Sequence, residues 1–243
     1  MADTYAQCPK CGEKFSEPLP ASASCPNCGL YFFKWGRPAR KLAIGEESVT
    51  GNTGLFDALF APREQMDPAS FYGRIGALVL LAVWGGFLFG YDYRSAEINE
   101  SFLHNIMLPI HEAGHVLFMP FGEFLTILGG SFFQLALPFG IGAAFILKNR
   151  DNFGAAVCLW WTGASLLDLS PYIYDALHPQ MLLLGGHTGE DGPHDWIYLL
   201  DVFGQLEHAQ GWGAFAHALG GLAMLTGVAW AAAVLKRQRQ ALG

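Results

Sequence analysis

Residues 75–90 carry no charged side chain, and neither do residues 124–147 or 212–235. Such runs restrict what the chain can become. In a bilayer, about 20 residues of helix cross the hydrocarbon core with every backbone N–H and C=O paired inside the segment. Two further apolar stretches, residues 106–121 and 153–177, are interrupted only by a few titratable side chains. Composition agrees: 52% of the 243 residues are hydrophobic and 14% charged, against roughly a quarter charged in an ordinary soluble domain. Aromatic residues make up 14%, as expected where Trp and Tyr gather at membrane interfaces. The expected fold is mostly α: a polytopic membrane helical bundle of four to six segments over residues 69–243. A multi-pass integral membrane protein of that size can surround a buried metal.

The start of the chain differs in kind. Cys8-Pro9-Lys10-Cys11 and Cys25-Pro26-Asn27-Cys28 are each followed by glycine. Two thiolates spaced C-x-x-C on a tight turn reach one ion, and two such knuckles make a tetrahedral site of four cysteines. Residues 1–35 are therefore expected to form a small zinc-ribbon module. An all-thiolate site belongs in a reducing compartment, which places the ribbon in the cytoplasm. The fifth cysteine, Cys158, lies in an apolar run with no partner of similar spacing.

Residues 36–68, with Arg37, Arg40, Lys41 and Pro62, read as a linker. Within it, residues 55–60 form a short amphipathic helix able to lie on a bilayer surface. The first four residues lack the basic and apolar regions of a cleaved signal peptide, so insertion is expected to use the internal apolar segments. Lys236 to Arg239 close the last segment and suit anchoring to lipid headgroups. The net charge of −7 and the lack of a basic tail argue against a nucleic-acid partner. Lys10, Lys14 and Lys34 are too few for the ribbon to track a phosphate backbone. A soluble partner held through the ribbon is the expected alternative.

Chemistry concentrates at His111-Glu112-Ala113-Gly114-His115. On a helix, positions i and i+4 share a face, so the two imidazoles can bind one zinc ion while Glu112 reaches the water on it. Zinc lowers the pKa of that water toward about 7, the carboxylate takes its proton, and the same carboxylate hands a proton to a leaving amine. Context strengthens the pattern. Each of these titratable groups costs roughly 2 to 3 kcal/mol or more at the centre of a lipid-facing helix. All three must face protein, a cavity or a metal.

A motif of this type inside an apolar helix resembles the intramembrane metalloproteases of the site-two protease class. That resemblance implies zinc, a peptide substrate in or beside the membrane, and a strand-like segment after the motif. Residues 124–131, Phe-Leu-Thr-Ile-Leu-Gly-Gly-Ser, fit the strand-like part, which in the family can pair with an extended substrate. The class also carries a later helix with an Asn, a Pro and an Asp-Gly that supplies a ligand. Residues 168–175 match in part: Asp168 stands where Asn is expected, Pro171 is present, and Asp175 is followed by Ala176 rather than Gly.

A catalytic zinc needs a third protein ligand. Asp175 is one candidate, on the family-like spacing and its place near the end of an apolar segment, where a helix cap is the competing role. His194 and Asp195 are the other, following the loop that contains Gly185, Gly186, Gly189 and Gly192. That loop can fold back over the site, or Asp195 can simply cap a helix over residues 196–206. Asp168 can position a ligand or a substrate carbonyl, or bond across helices. Gln134 can donate to an oxyanion or make a helix–helix hydrogen bond. His104, His178, His187, His208 and His217 lack ligand-like spacing and read as loop or interface residues.

The function expected from these features is a membrane-embedded zinc metallopeptidase with Glu112 as general base and two zinc ions, one catalytic and one structural. Its partners are the bilayer and a membrane protein or peptide substrate. Two alternatives use the same features differently. One is a non-catalytic membrane-anchored zinc-ribbon regulatory or scaffold protein. The other is a membrane metal enzyme acting on a lipid or prenylated substrate.

Overall fold

The computed structural model describes residues 4–32, 55–62 and 66–242. Arg37, Arg40 and Lys41, and most of the expected linker, lie outside the described residues. The chain divides into two compact units, Met1–Thr53 and Gly54–Gly243.

In the first unit, strands β1 (Thr4–Gln7) and β2 (Lys14–Pro20) pair antiparallel, with Tyr5 opposite Leu19 and Gln7 opposite Lys14. Its interior is small. Among the described residues Cys8, Cys25 and Phe32 are its fully buried side chains, with Tyr5 stacked on Phe32 at a centroid distance of 4.9 Å. A core of that size needs a staple such as a metal ion.

The second unit is helical: α1 (Leu55–Phe60), α2 (Pro68–Gly90), α3 (Phe102–Phe118), α4 (Glu123–Ala144), α5 (Asn152–Asp175), α6 (Asp195–Val202) and α7 (Ala209–Leu242). Among the described residues four helices are long and apolar enough to cross a membrane: α2, α4 with its wider turn to Asn149, α5, and the stretch Leu206–Gln240 that contains α7. Side chains start these helices where the sequence places short polar groups. Asp67 accepts from the Ser70 N–H at 3.0 Å and its hydroxyl at 2.6 Å, and Ser101 accepts from the His104 N–H at 3.2 Å. Asp151 accepts from the Gly154 N–H at 3.1 Å and takes a bidentate contact from Arg74 at 3.1 and 3.0 Å, which ties α2 to the start of α5.

α5 is the enclosed centre of this unit. It packs on α7 through small residues, and a Cβ on Gly163 would come within 2.6 Å of the Gly220 carbonyl oxygen. Close backbone approach of this kind is how apolar helices gain dispersion contact without help from water. α2 instead exposes Val79, Leu80, Val83 and Phe87, a face suited to hydrocarbon. The helix expected over residues 55–60 is present as α1. It is docked by Trp230, which donates to the Leu59 carbonyl at 2.8 Å, and by Asn152, which donates to the Ala58 and Ala61 carbonyls at 2.9 and 3.1 Å.

One expectation is overturned. Residues 124–131, expected to be strand-like, are the first turns of α4. Gly129 and Gly130 do not make a strand edge; they let α4 lie directly against α3, and a Cβ on Gly129 would fall 2.7 Å from the Gly114 carbonyl oxygen. The apolar run before them satisfies a helix as well as a strand, and the neighbouring helix decides between the two.

Candidate metal centre

Two groups of side chains among the described residues converge as metal ligands do. In the first unit, Cys8, Cys11, Cys25 and Cys28 bring their sulfurs within 4.8 Å of one another. Cys8–Cys28 and Cys11–Cys25 are both 3.7 Å apart. A tetrahedral ion with metal–sulfur bonds of about 2.3 Å requires sulfur–sulfur edges of about 3.8 Å, so the cage has the right size. The two knuckles are built alike. Gly12 at φ 77° donates to the Cys8 carbonyl, and Gly29 at φ 70° donates to the Cys25 carbonyl. Desolvation works against the Cys8 thiolate, but the amides of Cys11 and Lys10 bring its thiol down from 9.0 to about 6.

The second group is His111, His115 and Asp195. Helical spacing puts both imidazoles on one face of α3. Asp195 arrives from the first turn of α6, its Oδ2 3.0 Å from His111 Nε2 and 3.2 Å from His115 Nε2. Each ring is held from behind: His115 Nδ1 lies 2.8 Å from the Thr126 carbonyl and His111 Nδ1 3.0 Å from Gln134 Oε1. A carbonyl only accepts, so His115 Nδ1 carries the ring proton and its Nε2 keeps a lone pair. That lone pair faces a carboxylate oxygen. A cation between them satisfies both. Without a cation an imidazole must take a second proton and pair with Asp195. Burial raises the Asp195 carboxyl, but those contacts to His111 and His115 outweigh it and hold the group below its ordinary range.

The space for an ion comes from α4. A Cβ on Gly130 would meet His111 Nε2 at 2.5 Å and His115 Nε2 at 2.6 Å. Only a residue without a side chain leaves room there.

The three candidate ligands and Glu112 line a cavity of about 400 Å³, within the usual range for small-ligand sites. The Glu112 side chain makes no hydrogen bond among the described residues. The glycine loop forms part of the wall: Gly185 and Gly186, at φ 103° and 80°, turn the chain so that Leu183 N–H bonds the His187 carbonyl at 2.8 Å. That turn brings Met181 to Leu184, and His187, to the cavity.

Of the three candidates for the third ligand, Asp195 joins the histidines and the other two do not. Asp175 Oδ1 accepts from the Gln180 and Met181 N–H groups at 2.9 and 3.0 Å, and its Oδ2 lies 3.6 Å from His194 Nε2. His194, not Asp195, caps α6, its Nδ1 accepting from the Ile197 N–H at 3.3 Å. The two residues pin the ends of the α5–α6 connection that delivers Asp195.

Two cavity residues escaped the sequence reading. His104, expected to be a loop or interface residue, lies on α3 and lines the cavity, with Nδ1 2.9 Å from Asp168 Oδ1. Its spacing of seven from His111 marks a shared helix face. Tyr172 accepts the Asp195 N–H on its hydroxyl at 2.9 Å. Nothing in the sequence linked it to the site. Asp168 and Gln134 do bond across helices, Gln134 Nε2 donating to Asp168 Oδ2 at 2.9 Å. His217 lies outside the cavity lining, stacked on Phe89 and tilted against Tyr93.

Comparison with protein-family models, with curated proteins and with solved structures finds no match to this chain.

Proposed function

We propose that this protein is a membrane-embedded zinc metallopeptidase, similar in its chemistry to the site-two protease class, that hydrolyses a peptide bond in or next to the bilayer. The observation that carries the reading is the placement of Glu112 in the same cavity as His111, His115 and Asp195. Two imidazoles and one carboxylate leave a further coordination position open, as hydrolytic zinc sites do. When bound, zinc would supply Lewis acidity toward the substrate carbonyl and toward water.

The remaining work falls to side chains of this chain. Glu112 accepts a proton from the water as its oxygen bonds to the carbonyl carbon, and delivers that proton to the nitrogen as the C–N bond breaks. The Tyr172 hydroxyl, already accepting from the Asp195 amide, keeps its own proton free to donate to the carbonyl oxygen as charge grows there. Met181 to Leu184 form an apolar wall that keeps bulk water from the reacting groups and suits an apolar peptide. The ribbon would hold a soluble partner or substrate near the membrane.

Glu112→Gln tests the reading. Metal content should stay at wild-type level while cleavage of a candidate single-span peptide stops. Cleavage unchanged by the substitution would exclude the peptidase. A second reading, a regulatory membrane protein acting through its ribbon, draws on the four-thiolate cage; it expects Cys8→Ser to abolish function and Glu112→Gln to leave it intact.

A further inference from the structure

Four polar side chains form a line from the second metal group into the helix interior. His111 Nδ1 lies 3.0 Å from Gln134 Oε1, Gln134 Nε2 2.9 Å from Asp168 Oδ2, and Asp168 Oδ1 2.9 Å from His104 Nδ1. Gln134 is 1% exposed and Asp168 6%, on two helices apolar enough to cross a membrane. Helix packing alone does not call for them, because apolar residues of similar size fill such positions without the desolvation cost. The line has a chemical direction. A carboxylate accepts only, so the Gln134 NH2 faces Asp168 and the amide oxygen faces His111. His111 Nδ1 must then carry the ring proton, leaving the Nε2 lone pair pointed at Asp195 and His115. The second Asp168 oxygen is satisfied by His104 from the same face of α3.

We infer that Gln134 and Asp168 are positioning residues for the metal ligand His111, fixing its tautomer and ring orientation and raising its basicity through the amide. The inference rests on the reading of His111, His115 and Asp195 as a metal centre. Partners of this kind, one bond behind a ligand, typically contribute 10- to 100-fold in metal affinity. The same line connects the centre to His104, so removing the Asp168 charge is felt at both ends of the line, His111 and His104.

Cobalt(II) titration of the purified full chain in detergent tests this. The four-thiolate cage shows sulfur-to-cobalt charge transfer, and a histidine–carboxylate site does not, so the two sites are followed separately. Gln134→Leu should weaken cobalt binding at the histidine site 10- to 100-fold, with the thiolate band and the far-ultraviolet helix signal unchanged. The double exchange Gln134→Glu with Asp168→Asn moves the carboxylate one place along the line and keeps all three hydrogen bonds. It should bind cobalt at least as tightly as the wild type, and it decides the matter if Gln134→Leu does not fold. Wild-type affinity in Gln134→Leu, or an exchanged pair that folds but binds 10-fold more weakly, would overturn the inference. A wild-type chain that binds cobalt only at the thiolates would instead defeat the metal-centre reading.

Discussion

Asp195 Oδ2 lies 3.0 Å from His111 Nε2, although 84 residues separate the two in the chain. This contact completes the candidate ligand set. Asp195→Ala should lower the metal content of the purified chain by one equivalent. Asp175→Asn, altering a carboxylate that bonds the loop backbone, should leave it unchanged. Elemental analysis of both variants beside the wild type reads the difference. Equal metal in Asp195→Ala and wild type would remove Asp195 from the set.

Gly130 makes the tightest demand on the site. An added methyl would overlap both ligand nitrogens, which cannot retreat because Thr126 and Gln134 hold the rings from behind. Gly130→Ala should abolish metal binding at the histidines while sparing the cysteines. The thermal midpoint in detergent should fall by only a few degrees, consistent with a local rearrangement costing about 1 to 3 kcal/mol.

The four-cysteine module is expected to depend on a bound ion. Among the described residues its fully buried side chains are two cysteines and one phenylalanine, too little to hold a fold, whereas structural zinc in four-cysteine modules contributes about 10 to 16 kcal/mol. Chelation should make Lys10 and Lys14 cleavable by trypsin, and Cys25→Ser should do so without a chelator. Resistance that survives both treatments would mean that the hairpin stands without metal.

Arg74 and Asp151 form a bidentate pair whose side chains are 16% and 14% exposed. Breaking a fully buried pair costs about 3 to 5 kcal/mol. Some solvent reaches this one, so Arg74→Ala should cost about 2 kcal/mol in unfolding of the helical unit. The loss also removes the guanidinium from above the Phe153 ring, 4.9 Å from its centroid. A change below about 0.5 kcal/mol would put the pair in the class of surface ion pairs.

Some features were legible because they are local. C-x-x-C-Gly places two sulfurs on one turn, and a pattern of four residues along a helix places His111 and His115 on one face; neither needs knowledge of the rest of the chain. The spacing of seven that adds His104 to that face was equally local, and passed unused because a single histidine two turns away carries no ligand signature. The helical state of residues 124–131 was not legible. Phe-Leu-Thr-Ile-Leu suits either state, and the deciding fact is the backbone of α3 packed against Gly129 and Gly130.

By itself, then, the amino-acid sequence determined the four-thiolate cage, the apolar helices and the helix face bearing two imidazoles and Glu112, since each follows from short-range geometry and composition. Tertiary structure alone chose Asp195 over Asp175 and His194, cleared space at Gly130, and joined Gln134 and Asp168 to the back of His111. Those choices depend on how helices distant in sequence pack and on where the loop from α5 to α6 returns. Side-chain spacing along a chain carries no record of that return path, because it is set by backbone contacts between elements that meet only after folding.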